Sequence, residues 1–292
     1  MDTCARIGAR GSWTVSITDD ILRKVEYLPP LPTTAARALD LLNSPDAGVE
    51  ELAECIRYDP SMSANVLKLC NSALFGLSRQ IGSVREGIVM VGLAAIRRIV
   101  LLVTSKQIYC KHYPGYEAHQ GELLTHSVAA AVIADKLKPY APGLKDDLFT
   151  TALLHDVGKM VLSQYVQEAY GQILSVVEGR QVSFSEAERY VFGVTHAEVG
   201  ALILDSWSFP AGIVEAVRRH HEAEQASDSP LTQIVALADV LAMMLGFGTD
   251  ADGLAYAWPL ENCSTYGITV KQIEAVMADS LGKIQEVERL LR

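Results

Sequence analysis

The sequence predicts an all-α fold, and three observations carry that prediction. Apolar residues recur every three to four positions in one segment after another. Ser, Thr, Asp and Pro stand where those segments begin. Strict apolar–polar alternation is scarce, and no Asn-Gly pair joins two β-branched runs, so no hairpin is expected.

The elements follow in order. Residues 1–17 show no periodicity and read as a tail. Thr18, Asp19 and Asp20 suit the start of ILRKVEYL, which Pro29, Pro30 and Pro32 would stop. Thr33 or Thr34 should start AARALDLLN. Ser44-Pro45-Asp46 should start a helix with Val49, Leu52, Ala53 and Ile56 on one face. After the break at Asp59-Pro60, Ser61 is placed to cap MSANVLKLCN. Val84, Ile88, Val91, Ala95, Ile99 and Val103 predict one long, largely buried helix over 84–104. Further helical patterns cover 117–138, 146–155, 159–178, 195–207, 210–221, 230–245 and 269–290. Ala223–Ser229 is polar and reads as a loop, and 247–268 is irregular.

Composition narrows the function classes. With 49% apolar and 21% charged residues the 292-residue chain should fold around a sizeable core. A net charge of −10 argues against a long nucleic acid as main partner, since phosphate backbones need clustered Lys and Arg. No apolar run suffices for a membrane span, and MDTCARIGARGSW lacks the apolar core of a secretory signal. Five cysteines without a CxxC argue against a disulfide frame or thiolate site and fit a reducing cytoplasm. Cys70 reads as a small buried residue, not a nucleophile. Neither a GxxxxGK phosphate loop nor a GxSxG elbow is present.

Histidine and aspartate carry the chemistry. His126 sits on a helical pattern whose neighbours Ala129 and Ala130 leave room beside the ring. His155 and Asp156 end an apolar run, where Gly158 could stop the helix and let both converge. His196 follows Thr195, a plausible cap, with Gly200 one turn on. His220 and His221 close another apolar helix. Asp239 lies on an apolar face, where an unpaired carboxylate is costly. Blander readings stay open for each: a hydrogen-bonded core histidine, a helix-end cation at His220-His221, an ion pair of Asp239 with Arg97 or Arg98, a solvated Lys159, a surface Glu122. Their joint occurrence is what suggests a metal ion.

HDVGK in LLHDVGKMVL resembles the signature of the HD superfamily of metal-dependent phosphohydrolases. The order His126, His155-Asp156, His196, His220-His221-Glu222, Asp239 is similar to that family's full set. LPPLPTTAARALDLL, IRYDPSMSANVLKLCNSALFG and IGSVREGIVMVGLAAIRRIVL narrow the resemblance to the HDOD family of bacterial signalling, over about residues 18–225. The resemblance implies two packed helical subdomains, an N-terminal bundle over 18–116 and an HD-like bundle over 117–292. HDOD domains commonly lack the metal-binding residues and act as regulatory modules; this chain retains them. The related HD-GYP diesterases continue from His-His-Glu into a Gly-Tyr-Pro loop, whereas here AEQASDSP follows.

Carried over position by position, the resemblance gives one metal to His126, His155, Asp156 and Asp239. It gives a second to His196, His220 and His221, with Asp156 as bridge. Glu122, one turn before His126, matches an additional ligand of some HD-GYP-like sites. Imidazoles and carboxylates suit divalent ions of the Fe, Mn, Zn or Mg class. Asp156 and Lys159 are the candidate catalytic residues, the lysine holding a phosphate oxygen. Three functions follow as expectations. The first is a regulatory protein with an intact metal centre and a signalling protein as partner. The second is a metal-dependent phosphohydrolase acting on a phosphorylated small molecule or nucleotide. The third is an inert scaffold.

Overall fold

Every regular element among the described residues is a helix, in line with the apolar spacing. The structure, a computed structural model, describes residues 13–28, 30–44, 47–73, 75–109, 111–116, 119–140, 147–222, 229–248 and 268–291. Residues 1–12 of the tail expected over 1–17, the proline at 29, the start at Pro45-Asp46, the loop over 223–228 and most of 247–268 lie outside them; residues 13–17 are helical, not tail.

Helix α1 (Trp13–Glu26) begins before Thr18. Thr18 therefore does not cap it; its hydroxyl donates to the Phe192 carbonyl from inside the helix. Helix α2 (Thr33–Asn43) starts at Thr33. Ser44 closes α2, its N–H donating to Asp40 and Leu41 carbonyls, and Gly48 precedes α3 (Val49–Arg57). Asp59, not Ser61, caps α4 (Pro60–Cys70): its carboxylate accepts the Met62 N–H at 2.9 Å, and Pro60 takes the first helical position.

The long helix expected over 84–104 is two helices. Gly92 adopts φ +84° between α5 (Val84–Val91) and α6 (Leu93–Tyr109). That backbone is strained for any residue with a Cβ, so the apolar spacing continues while the helix does not. Helices α7 (Glu122–Leu137), α8 (Asp147–Leu154) and α9 (Lys159–Arg180) follow. Next comes α10 (Phe184–Phe192), which the apolar spacing had not singled out. Ser183 and Glu186 form a capping box at its start. Helices α11 (His196–Ser206), α12 (Ala211–Arg218), α13 (Pro230–Met244) and α14 (Val270–Leu291) complete the described chain.

Two apolar clusters hold these helices. The first joins α2–α6 to α7, α8, α13 and α14 through Ile56, Met62, Ile96, Ala130, Ala134, Ile234 and Ile284, all fully buried. The second joins α1 to α9–α12 through Ile21, Leu162, Val166, Val199, Leu204 and Val217. Each buried Leu, Ile or Val contributes about 1.5–3 kcal/mol relative to exposure. Helix α7 is the axle. Val128 to Ile133 are buried in succession, and the helix packs on α8, α13 and α14. A helix apolar on every side belongs inside the molecule. His126, on such a helix, must therefore face a neighbour instead of water.

Candidate metal centre

All seven predicted ligands converge. Helix α7 supplies His126 and α13 supplies Asp239. His155 and Asp156 lie in the turn after α8, which ends at Leu154. His196 opens α11 under a capping box of Thr195 and Glu198. His220 and His221 follow the end of α12. Gly158 has φ −66°, so it is not the left-handed stop that the sequence suggested. Its role is close approach. A Cβ there would fall 1.9 Å from the His196 carbonyl oxygen and 2.6 Å from the Gly200 nitrogen. The 155–158 turn is thereby pressed onto the first turn of α11, with Asp156 opposite His196.

Asp156 sits at the centre and divides its oxygens. Its Oδ2 lies 3.5 Å from His126 Nε2 and 3.4 Å from His155 Nε2. Its Oδ1 lies 3.5 Å from His196 Nε2 and 3.9 Å from His220 Nε2. Asp239 Oδ1 closes the first side, 3.0 Å from His126 Nε2 and 3.6 Å from His155 Nε2. His196, His220 and His221 group on the other side, as His126, His155 and Asp156 do on the first. Arg97 and Arg98 are engaged elsewhere. Arg97 donates to Asn43 Oδ1 and the Leu42 carbonyl, and Arg98 forks onto Asp135. The alternative ion pair with Asp239 is thus not formed. Glu122 accepts the His119 N–H at 3.0 Å and belongs to neither group.

The imidazole orientations follow from partners that can only accept. Nδ1 of His126, His155 and His220 each lies 2.7 Å from a carbonyl, of Phe247, Ala152 and Val217. His196 Nδ1 lies 2.7 Å from Glu188 Oε2. Each of these rings therefore carries a proton on Nδ1, and its Nε2 atom points at the centre. His126 Nε2 and His155 Nε2 are 3.2 Å apart. Two nitrogens at that distance need a positive charge between them, a proton on one ring or a metal ion that replaces it. The separation is ordinary for two nitrogens on one ion, whose bonds to imidazole run at about 2.0–2.1 Å.

Two further atoms make the same demand. Asp156 Oδ1 and His220 Nε2 are buried without a hydrogen-bond partner. Burial disfavours charge on the Asp156 carboxyl, yet His155 and Lys159 beside it hold it well below the usual carboxylate range. Asp239, held ionised by His126 and His155 against its own burial, behaves alike. For His155, burial favours the neutral ring, but the charges and hydrogen bonds of Asp156 and Asp239 prevail and lift it to about 10. His220, by contrast, is driven to about 3 by burial and by its imidazole neighbours. The donor set thus fits a divalent cation: imidazole lone pairs, two ionised carboxylates and no thiolate.

Lys159 is not the solvated lysine of the default reading. It is 1% exposed, and its Nζ donates to Asp156 Oδ2 at 2.9 Å. Glu188 was not singled out in the sequence. It is fully buried on α10 and backs His196. The signal was available: Ser183-x-x-Glu186 marks a helix start, and Phe184, Ala187, Val191 and Phe192 place Glu188 on its apolar face.

The fold is all-helical and buries a histidine–aspartate cluster between its helices. The HDOD domain model matches residues 28–223, more than half of the chain, and the chain belongs to the HDOD family. It is similar to an HDOD domain protein of unknown function from Geobacter sulfurreducens, with 23% identity, 95% and 98% of the two chains covered and a TM-score of 0.76. A candidate phosphohydrolase from Shewanella amazonensis SB2B matches with 24% identity, 93% and 98% coverage and a TM-score of 0.74. An uncharacterized protein of Treponema pallidum (strain Nichols) is 22% identical over 80% of this chain, which spans only 45% of that relative's length. Among the described residues no helix is long and apolar enough to cross a membrane.

Proposed function

We propose that the chain is a regulatory HDOD protein whose HD-type centre binds divalent metal, with two ions sharing Asp156. The observation that carries this reading is the divided carboxylate of Asp156, with Nε2 atoms of two imidazoles converging on each oxygen. His126, His155 and Asp239 would hold one ion, and His196, His220 and His221 the other. Metal ions of this kind supply Lewis acidity and a water of lowered pKa. The side chains of His126, His155, Asp156, His196, His220 and Asp239 are at most 7% exposed, which suits a resident structural or sensing metal. The partner on this reading is another signalling protein, in a reducing cytoplasm; the reading takes residues 18–116 as an N-terminal bundle and 117–292 as the metal-bearing one, packed through the shared apolar clusters.

Lys159 favours a second reading. Its ammonium lies beside Asp156, where it would neutralise a phosphate oxygen, and the Shewanella relatives carry phosphohydrolase names. On this reading Asp156 and Lys159 are catalytic, and the substrate is a phosphorylated small molecule or nucleotide. A panel of phosphomonoesters and phosphodiesters, assayed with added manganese or iron, separates the two. Turnover that disappears in a His155→Ala/Asp156→Ala variant establishes a phosphohydrolase. The regulatory reading expects none, with the metal still bound.

A further inference from the structure

We infer that Glu188, held by Tyr116, is the positioning residue that makes His196 a stronger imidazole ligand than His126, His155 and His220; this rests on the metal reading above. The histidines are backed unequally. Those at 126, 155 and 220 donate Nδ1–H to neutral main-chain carbonyls. His196 alone among these four donates to a carboxylate. An imidazole hydrogen-bonded to a carboxylate is more basic at its other nitrogen and is held in one tautomer and one orientation.

The Glu188 carboxylate is fully committed to this task. Its Oε2 accepts both the His196 backbone N–H, at 2.9 Å, and Nδ1–H, at 2.7 Å. Its Oε1 accepts the Tyr116 hydroxyl. Neither Glu188 nor Tyr116 is more than 1% exposed. A carboxylate without water is costly to bury, and three donors satisfy it while aiming the ring.

Tyr116 is itself fixed by the chain before α7. Ser163 donates to the Pro114 carbonyl at 2.7 Å. Gly115, at φ +91°, lets the strand of chain lie against α9, where a Cβ would fall 2.8 Å from the Gln167 nitrogen. The Tyr116 ring then stands edge-on to His196, with centroids 6.1 Å apart, and carries the Lys159 ammonium 5.4 Å from its centroid. One tyrosine thus touches the supports of both Asp156 and His196. The relay biases one metal position, that of His196, His220 and His221, and leaves the other to its own ligands.

Cobalt(II) titration of the full chain tests this. The wild type should take up two ions. Glu188→Gln keeps the shape but not the charge. It should bind one ion unchanged and the other about ten- to a hundred-fold more weakly, with the absorption bands of that ion shifted. A folded Glu188→Gln protein with both affinities and the spectrum of the wild type overturns the inference. Should that variant not fold, Tyr116→Phe decides: it removes only the hydroxyl donor, and selective weakening of the same ion supports the relay, whereas wild-type binding overturns it. Wild-type protein that takes up no cobalt overturns the metal reading itself, a failure seen before any substitution is made.

Discussion

Asp156 and Gly158 show how much one position can decide. Asp156 faces four imidazoles and one ammonium within 3.9 Å, and no other carboxylate of the cluster reaches both sides. Gly158 makes that placement possible, because its missing Cβ is where the His196 carbonyl lies. Gly158→Ala should therefore cost roughly 1–3 kcal/mol or more by overpacking, and it should weaken metal binding by moving the turn off α11. Thermal unfolding and metal titration of the variant measure both; an unchanged melting temperature would contradict the tight contact. Most of this residue-scale picture was legible. An aspartate or histidine on an apolar helical face is costly enough to be noticed in a bare sequence, as at Asp239. Glu188 obeys the same rule and escaped only because its helix was not recognised. The glycine's role was legible as a position but not as a cause, since close approach between segments distant in the chain leaves no local trace.

At the scale of elements, caps and breaks set the ligands in place. The Thr195–Glu198 box fixes where α11 begins, and hence the direction of His196. Thr195→Ala should destabilise the fold by about 0.5–2 kcal/mol, the usual cost of a lost cap. Denaturant unfolding checks this, and a loss under a few tenths would show that the cap is dispensable. Element type was readable throughout, because a 3.6-residue apolar period is a strong signal. Boundaries were less so. Asp59 outcompeted Ser61 as a cap once Pro60 occupied the first turn. Gly92 divided a continuous apolar stripe, which periodicity alone cannot register, since the stripe resumes in α6.

For the whole molecule, the centre links α7, α8, α11, α12 and α13, so an ion there ties both apolar clusters together. Chelation should lower stability by about 2.7 kcal/mol for an ion held at a hundred times its Kd. It should also change the pH dependence. Without metal, His155 has its pKa raised to about 10 from an unfolded value of about 6.5. The folded state then holds an extra proton, so its stabilisation is full below about pH 6.5 and is lost as pH rises towards 10. Asp156 and Asp239, with lowered pKa values, act in the opposite sense: their contribution is present above about pH 4 and lost in acid. Melting temperatures of chelated protein should therefore fall across the alkaline range. Metal-loaded protein, in which the ion replaces the proton, should stay level there. Equal slopes would show that no cation takes the proton's place.

The most direct test of the central claim is elemental analysis of protein purified without chelator, compared with a His155→Ala/Asp156→Ala variant. A centre that shares Asp156 between two sets of imidazoles predicts two divalent ions per wild-type chain and their loss in the variant. Fewer than one ion per chain, unchanged by the double substitution, would contradict it.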